Sequence, residues 1–309
     1  MADKIATREA YGKKLAQLGA TNENLVVMDA DLSGSTKTAE FAKLYPERFF
    51  NMGIAEQNLY GAAAGLAVSG KTVCASTFAM FAAGRAFEII RNSIGYTHAN
   101  VKICATHAGI TTGEDGGSHQ TFEDIALMRT IPGMTVLNPC DGVSTGKLLE
   151  AAVSFEGPCY IRLGRSAVPV IYNEDDDIEI GKGRVLAEGK DITVIATGIM
   201  VNEALIARET LESEGISVRV IDMHTIKPLD EEIIIKAAEE TGAIVTAEEH
   251  SVIGGLGSAV AETVVKNCPV KMAFVGQNDV FGESGKPEEL KKKYNMTAED
   301  IVKACREII

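Results

Sequence analysis

Tryptophan is absent from this 309-residue sequence, no two of its six cysteines form a CxxC pair, and acidic residues outnumber basic ones 43 to 30. Each shortage excludes something. Without CxxC, or a Cys/His cluster at ligand spacing, neither a structural zinc site nor a dithiol redox motif is indicated, and no metal site of the chain's own is expected. Four of the cysteines sit in apolar, strand-like runs, as expected of reduced, buried thiols in a cytoplasmic protein. A net charge of −13 leaves no basic surface for a phosphodiester backbone, which excludes nucleic acid as a partner. The longest apolar stretches, such as residues 61–68, fall far short of the roughly 20 residues a bilayer demands, so no membrane span is expected. Met1 to Arg8 carries charges and lacks the apolar core of a signal peptide.

What is present is a regular alternation. Short β-branched runs at 25–29, 72–76, 102–106, 135–138, 159–163, 192–197, 218–222, 244–248 and 270–274 are separated by stretches of helical period such as 56–68, 84–94 and 201–214. Near-continuous apolar strands between helices predict parallel sheets covered on both faces. A charge run at 172–177, followed by Gly181-Lys182-Gly183, breaks the pattern and reads as a linker, the other reading being a long surface loop. The expected architecture is therefore α/β with two domains, residues 1–175 and 190–309, each a mostly parallel sheet flanked by helices. A capping box at Thr297 to Asp300 opens the last helix, with Ile301, Val302 and Cys305 on one face.

Three segments carry candidate chemistry. In NMGIAEQN (51–58), Glu56 opens a helix after a small-residue turn; alone, it is as readily a structural carboxylate at a helix N-terminus. In STFAMF (76–81), Phe78 and Phe81 lie at a strand-to-helix junction, as core or as a stacking surface. The segment ATHAGITTGEDGGSHQ (105–120) follows a strand directly and holds His107 and His119, two of only five histidines, with Asp115 and four glycines. Polar loops at the carboxyl ends of parallel strands carry ligand sites, and histidine suits proton transfer near neutral pH. The spacing of His107, Glu114, Asp115 and His119 fits no standard metal-ligand pattern. GGLG (254–257) lacks the third glycine of a dinucleotide fingerprint and reads as a helix-packing turn.

In this order, the motifs resemble transketolase over nearly the whole chain. GIAE (53–56) resembles the family's pyrimidine-binding glutamate motif, TFxxF (77–81) its aromatic platform, and TH (106–107) with GEDGxSHQ (113–120) its donor-site loop. ATR (6–8), ADLSGS (30–35) and LGR (163–165) resemble positions that grip a sugar phosphate, and EEH (248–250) with GGLGS (254–258) resembles the C-terminal domain signature. The resemblance implies thiamine diphosphate as cofactor. It places Glu56 at the pyrimidine, Phe78, Phe81, Asp31 and Leu32 beside the cofactor, and His107 and His119 at the reacting carbons. Asp115 would then lie against a substrate hydroxyl, and Arg8, Ser35, His107 and Arg165 at the sugar and its phosphate.

The departures matter equally. Transketolases run to about twice this length, and their other half holds the diphosphate and a divalent metal through Gly-Asp-Gly and a downstream asparagine. No Gly-Asp-Gly occurs here, and a further aromatic of the family pattern is replaced by Gly84. The expectation is the C-terminal subunit of a split transketolase, with Mg2+ or Ca2+ held by an N-terminal partner subunit, sugar phosphates as substrates, and self-association of this chain. The beta subunit of a 2-oxo-acid dehydrogenase, a deoxyxylulose-phosphate-synthase-like enzyme and a non-catalytic homologue are the alternatives. The first two lack parts of the 106–120 pattern.

Overall fold

The computed structural model describes residues 4–309; Met1 to Asp3, which begin the expected first domain and the charged N-terminal stretch, lie outside them. Among the described residues fourteen strands follow in chain order. The first seven are β1 (Lys4–Ala6), β2 (Leu25–Asp29), β3 (Phe49–Asn51), β4 (Thr72–Phe78), β5 (Val101–Thr106), β6 (Thr135–Leu137) and β7 (Cys159–Arg162). The second seven are β8 (Ala167–Pro169), β9 (Arg184–Ala187), β10 (Ile192–Ala196), β11 (Val218–Asp222), β12 (Thr225–Lys227), β13 (Ala243–Ser251) and β14 (Lys271–Gln277). Two larger sheets result, ordered β12-β6-β7-β5-β4-β2-β3 and β14-β13-β10-β11-β9. The pairings among β2 to β7 are parallel, as are those among β10, β11, β13 and β14. Every residue of β2, β5, β10 and β11 is buried, which requires cover on both faces. The two-sheet α/β architecture expected from the alternation is the one observed.

The strands missed in the sequence are the short ones. Among them, β12 pairs antiparallel with β6, so a segment that follows the second sheet's β11 closes the edge of the first sheet. Its Lys227 Nζ donates to the carbonyls of Arg129 and Ile131 at 2.8 and 2.6 Å. The stretch 172–190 is more ordered than a linker: Tyr172 and Ile178 are buried, and residues 184–187 form β9, antiparallel to β11. The Tyr172 hydroxyl donates to Asp222 Oδ2 at 2.8 Å, with Cys140 Sγ at 3.5 Å from the same oxygen. Residues 81–95 form no single helix but two π-helical turns, Phe81–Arg85 and Ile90–Gly95, around a short α-helical turn, Phe87–Ile89. The final helix, Ala298–Ile308, starts at the expected Thr297–Asp300 capping box and buries Ile301, Val302 and Cys305.

Candidate active site at the carboxyl ends of the parallel strands

Parallel register places the ends of β2, β3, β4, β5 and β7 along one edge of the first sheet, and most of the sequence-derived site residues follow directly from those ends. Phe78 is the last residue of β4, paired with Thr106 at the end of β5, so His107 emerges beside it. The two rings stack with centroids 3.9 Å apart and planes 25° apart. Phe81 lies 6.0 Å from Phe78, and His119 meets Phe81 edge-on at 5.3 Å, so the two phenylalanines and two histidines form one aromatic cluster.

His107 sits at φ +57, a backbone conformation unusual for a side chain with a Cβ, and is almost fully buried. Its Nε2 lies 3.2 Å from Arg8 Nη1, and its Nδ1 lies 2.9 Å from Thr106 Oγ1. A guanidinium can only donate, so Nε2 is the acceptor and the ring proton belongs on Nδ1, facing the threonine hydroxyl. Burial, reinforced by Arg8 and Arg165, pulls the His107 pKa down to about 3, so the ring is neutral throughout the physiological range. His119 is half-buried. Its Nδ1 lies 2.9 Å from Ser118 Oγ, and its Nε2 has no hydrogen-bond partner among the described residues.

Arg8, the second residue of helix Thr7–Thr21, also donates to the carbonyl of Ser35 at 2.9 Å, which brings Arg8, Ser35 and His107 together. Arg8 Nε is buried without a partner. Arg165 Nη1 donates to the carbonyl of Thr112 at 2.6 Å and to Glu114 Oε2 at 2.7 Å, an ion pair absent from the sequence reading. Asp115 is exposed at the end of the 3-10 turn Ile110–Asp115. Asp31, at φ +65, exchanges two 3.1 Å hydrogen bonds with Asn51, whose Oδ1 also accepts from the Gly53 N–H at 3.0 Å. Leu32 is half-buried, its N–H donated to Asp29 Oδ1, and it opens the turn that carries Ser35.

Glu56 is the first residue of helix Glu56–Val68 and is 4% exposed, yet its Oε2 is buried with no hydrogen-bond partner. An unpartnered buried carboxylate oxygen costs about 1–3 kcal/mol or more and so calls for a reason, of which a ligand at that oxygen is one. Gln57 Nε2, 3.5 Å from the Arg85 carbonyl, ties the start of this helix to the turn that carries Phe81. A carboxylate and a ring-stacking surface suit an aminopyrimidine ring. No cluster able to hold a metal ion occurs among the described residues.

The sequence reading passed over the second half's contribution. The Glu249 carboxylate accepts from the Thr111 N–H at 2.7 Å and lies so close to Gly109, at φ +77, that a Cβ there would meet its carboxyl carbon at 2.3 Å. Buried Arg162 donates to Asp124 Oδ2 and to the Glu249 carbonyl, both at 2.8 Å. Burial disfavours the Arg162 charge, but Asp124 and Glu249 outweigh it and hold its pKa above the usual value. Gln120 Nε2 donates to the Glu283 carbonyl at 2.9 Å, and Gly117 lies against the backbone of Gly282, so the chain before helix Pro287–Lys293 presses on the histidine loop. Glu248 accepts the Leu256 and Gly257 N–H groups at 2.7 and 2.8 Å, so GGLG is a capped helix start. The available signal was charge inside apolar strands: Arg162, Glu248 and Glu249 had to find partners once buried.

Sequence comparison places this geometry in a lineage. Residues 3–170 match the pyrimidine-binding domain of transketolase and residues 181–301 its C-terminal domain. A putative transketolase C-terminal section from Methanocaldococcus jannaschii is 54% identical over 97% of this chain and 95% of its own length. A split-gene transketolase solved as an inactive β4 tetramer superposes with a TM-score of 0.91 at 56% identity, covering 99% of this chain and 98% of that one. Human transketolase is 41% identical over 99% of this chain, which spans only 49% of the human protein. The chain belongs to the transketolase family, in which it carries the pyrimidine-binding and C-terminal domains.

Proposed function

We propose that this chain is the C-terminal subunit of a two-chain transketolase, moving a two-carbon ketol unit between phosphorylated ketose and aldose sugars. The observation that carries the reading is Glu56, whose buried Oε2 has no partner among the described residues, on a helix whose start Gln57 ties to the turn carrying Phe81. Thiamine diphosphate, when bound, would supply the electron sink for carbon–carbon cleavage. Glu56 holds a proton at a pyrimidine ring nitrogen, and Phe78 and Phe81 fix the ring by apolar contact, with Asp31 and Leu32 on the turn beside them. Neutral His107, its Nε2 accepting from Arg8, lies against the sugar beside that guanidinium, and His119 Nε2 stands free to exchange a proton with a sugar hydroxyl. Asp115 accepts from a further hydroxyl and so selects its configuration. Arg8 and Arg165, with Ser35, take the distal phosphate, which in the case of Arg165 displaces Glu114.

The diphosphate and its Mg2+ or Ca2+ fall to a partner subunit, since this sequence contains no Gly-Asp-Gly. The domains would divide as residues 1–175 and 190–309, and self-association through this chain would give a heterotetramer with two partner chains. The β4 assembly of the 56% identical relative supports the self-association. The test mixes purified chain with a partner carrying Gly-Asp-Gly and the downstream asparagine, cofactor and magnesium. Ketol transfer from a phosphorylated ketose is expected; 2-oxo-acid decarboxylation in its place would overturn the reading.

A further inference from the structure

Thr111 and Thr112 form a two-residue pivot between the two halves of the chain. The Thr111 N–H is donated to Glu249 Oε1 at 2.7 Å, and its carbonyl accepts from Ser166 Oγ at 3.2 Å. Thr112 Oγ1 donates to the His107 carbonyl at 2.6 Å, and the Thr112 carbonyl accepts from Arg165 Nη1 at 2.6 Å. One carboxylate on β13 of the second sheet is therefore two residues from the backbone of His107 and the side chain of Arg165. His107 needs such a hold, because it sits at φ +57 without the freedom of glycine. Gly109, against which the Glu249 carboxylate is seated, leaves that carboxylate no room to shift toward the loop.

We infer that Glu249 is a positioning residue: by capping the Thr111 N–H it sets His107 and Arg165 in the geometry that receives the phosphorylated sugar, and so gives the C-terminal domain a part in substrate binding. The substrate half of this statement rests on the function proposed above. The competing role for Glu249 is simple neutralisation of buried Arg162, whose Nη1 lies 3.7 Å from its Oε2. Two substitutions separate these roles. Glu249→Gln keeps a carbonyl oxygen within reach of Thr111 and loses the charge. Glu249→Asp keeps the charge and, one methylene shorter, withdraws it from Thr111.

Amide exchange of the full-length chain, read on peptides covering 108–112, is the first measurement. Positioning predicts that Glu249→Asp speeds exchange there by about tenfold or more, while Glu249→Gln stays near wild type. The reverse order, equal opening in both variants, or no local change in either would overturn the inference. The second measurement is steady-state kinetics of the complex with its partner subunit. Glu249→Asp should raise KM for a phosphorylated ketose by about tenfold with kcat within about twofold, and Glu249→Gln should restore it. A fall in kcat at unchanged KM overturns the substrate role. If wild-type complex shows no ketol transfer while exchange follows the predicted pattern, the proposed function fails and the pivot stands.

Discussion

Replacing Asp222 by asparagine should change how stability depends on pH, and the direction follows from the structure. Asp222 ends β11 fully buried, with Oδ2 taken by Tyr172 and Cys140 and Oδ1 without a partner. Burial above all, with Asp141 nearby, pushes its pKa from 3.8 to about 7. The unfolded chain thus releases this proton near pH 4 and the folded chain keeps it to about pH 7. Between those limits the folded state binds one more proton, so stability falls as pH rises. A shift of that size corresponds to about 4 kcal/mol in total, of which about 2.5 kcal/mol is lost between pH 5 and pH 8. Asparagine has the same shape and no proton to lose, so Asp222→Asn removes this slope. Urea unfolding of both proteins at pH 5, 6, 7 and 8, followed by far-ultraviolet circular dichroism, measures the difference, in which the other titrating groups cancel. Wild type should lose about 2.5 kcal/mol relative to the variant across that range. Parallel stability curves, or a wild type that gains on the variant with rising pH, would refute the reasoning.

Glu56→Gln should leave the circular dichroism spectrum unchanged and cut turnover of the assembled enzyme by about 100-fold or more; near-normal turnover would remove Glu56 from the chemistry. Arg8→Ala and Arg165→Ala should each weaken use of phosphorylated sugars by about 1.5–3 kcal/mol and spare unphosphorylated ones, whereas equal losses on both would make the arginines structural. His107 should show no titration of its ring signals between pH 5 and pH 9, because its pKa is about 3 in the folded chain; its contribution to stability is full above pH 6.5 and declines as acid protonates the unfolded chain first. The isolated chain should bind thiamine diphosphate weakly and catalyse nothing; tight, magnesium-dependent binding in calorimetry without a second chain would show that the diphosphate site was overlooked.

Much of this fold was legible because its central strands are buried on both faces. The runs at 25–29 and 218–222 coincide with β2 and β11, and the other seven were displaced by a few residues at most. The strands that escaped, β1, β3, β8, β9 and β12, are three or four residues long, too short for a period to register. The helical reading of 84–94 holds in kind but not in period, because the segment is helical with i to i+5 hydrogen bonding in Phe81–Arg85 and Ile90–Gly95 rather than one regular α-helix. In the site, residues at strand ends were legible as motifs, and the aromatic cluster follows from two adjacent strand ends. Glu249 was not, since its partner Thr111 is 138 positions away and no local pattern signals such a pairing. The Arg165–Glu114 ion pair was missed for the same reason, at 51 positions.

The antiparallel strand β12 has a consequence for how the chain can be divided. It comes after the second sheet's β11 yet covers β6, the outermost parallel strand of the first sheet, in the register Thr225 to Leu137 and Lys227 to Val136. A fragment ending near residue 180 would retain all six parallel strands of that sheet and lose the one that shields its border. The N–H and C=O groups of residues 135–137 would then be an open template for strand addition, the usual starting point of aggregation. These three residues are one of the places where the two halves, distinct in sheet order, interlock. A fragment that keeps β6 paired on both sides extends past Lys227.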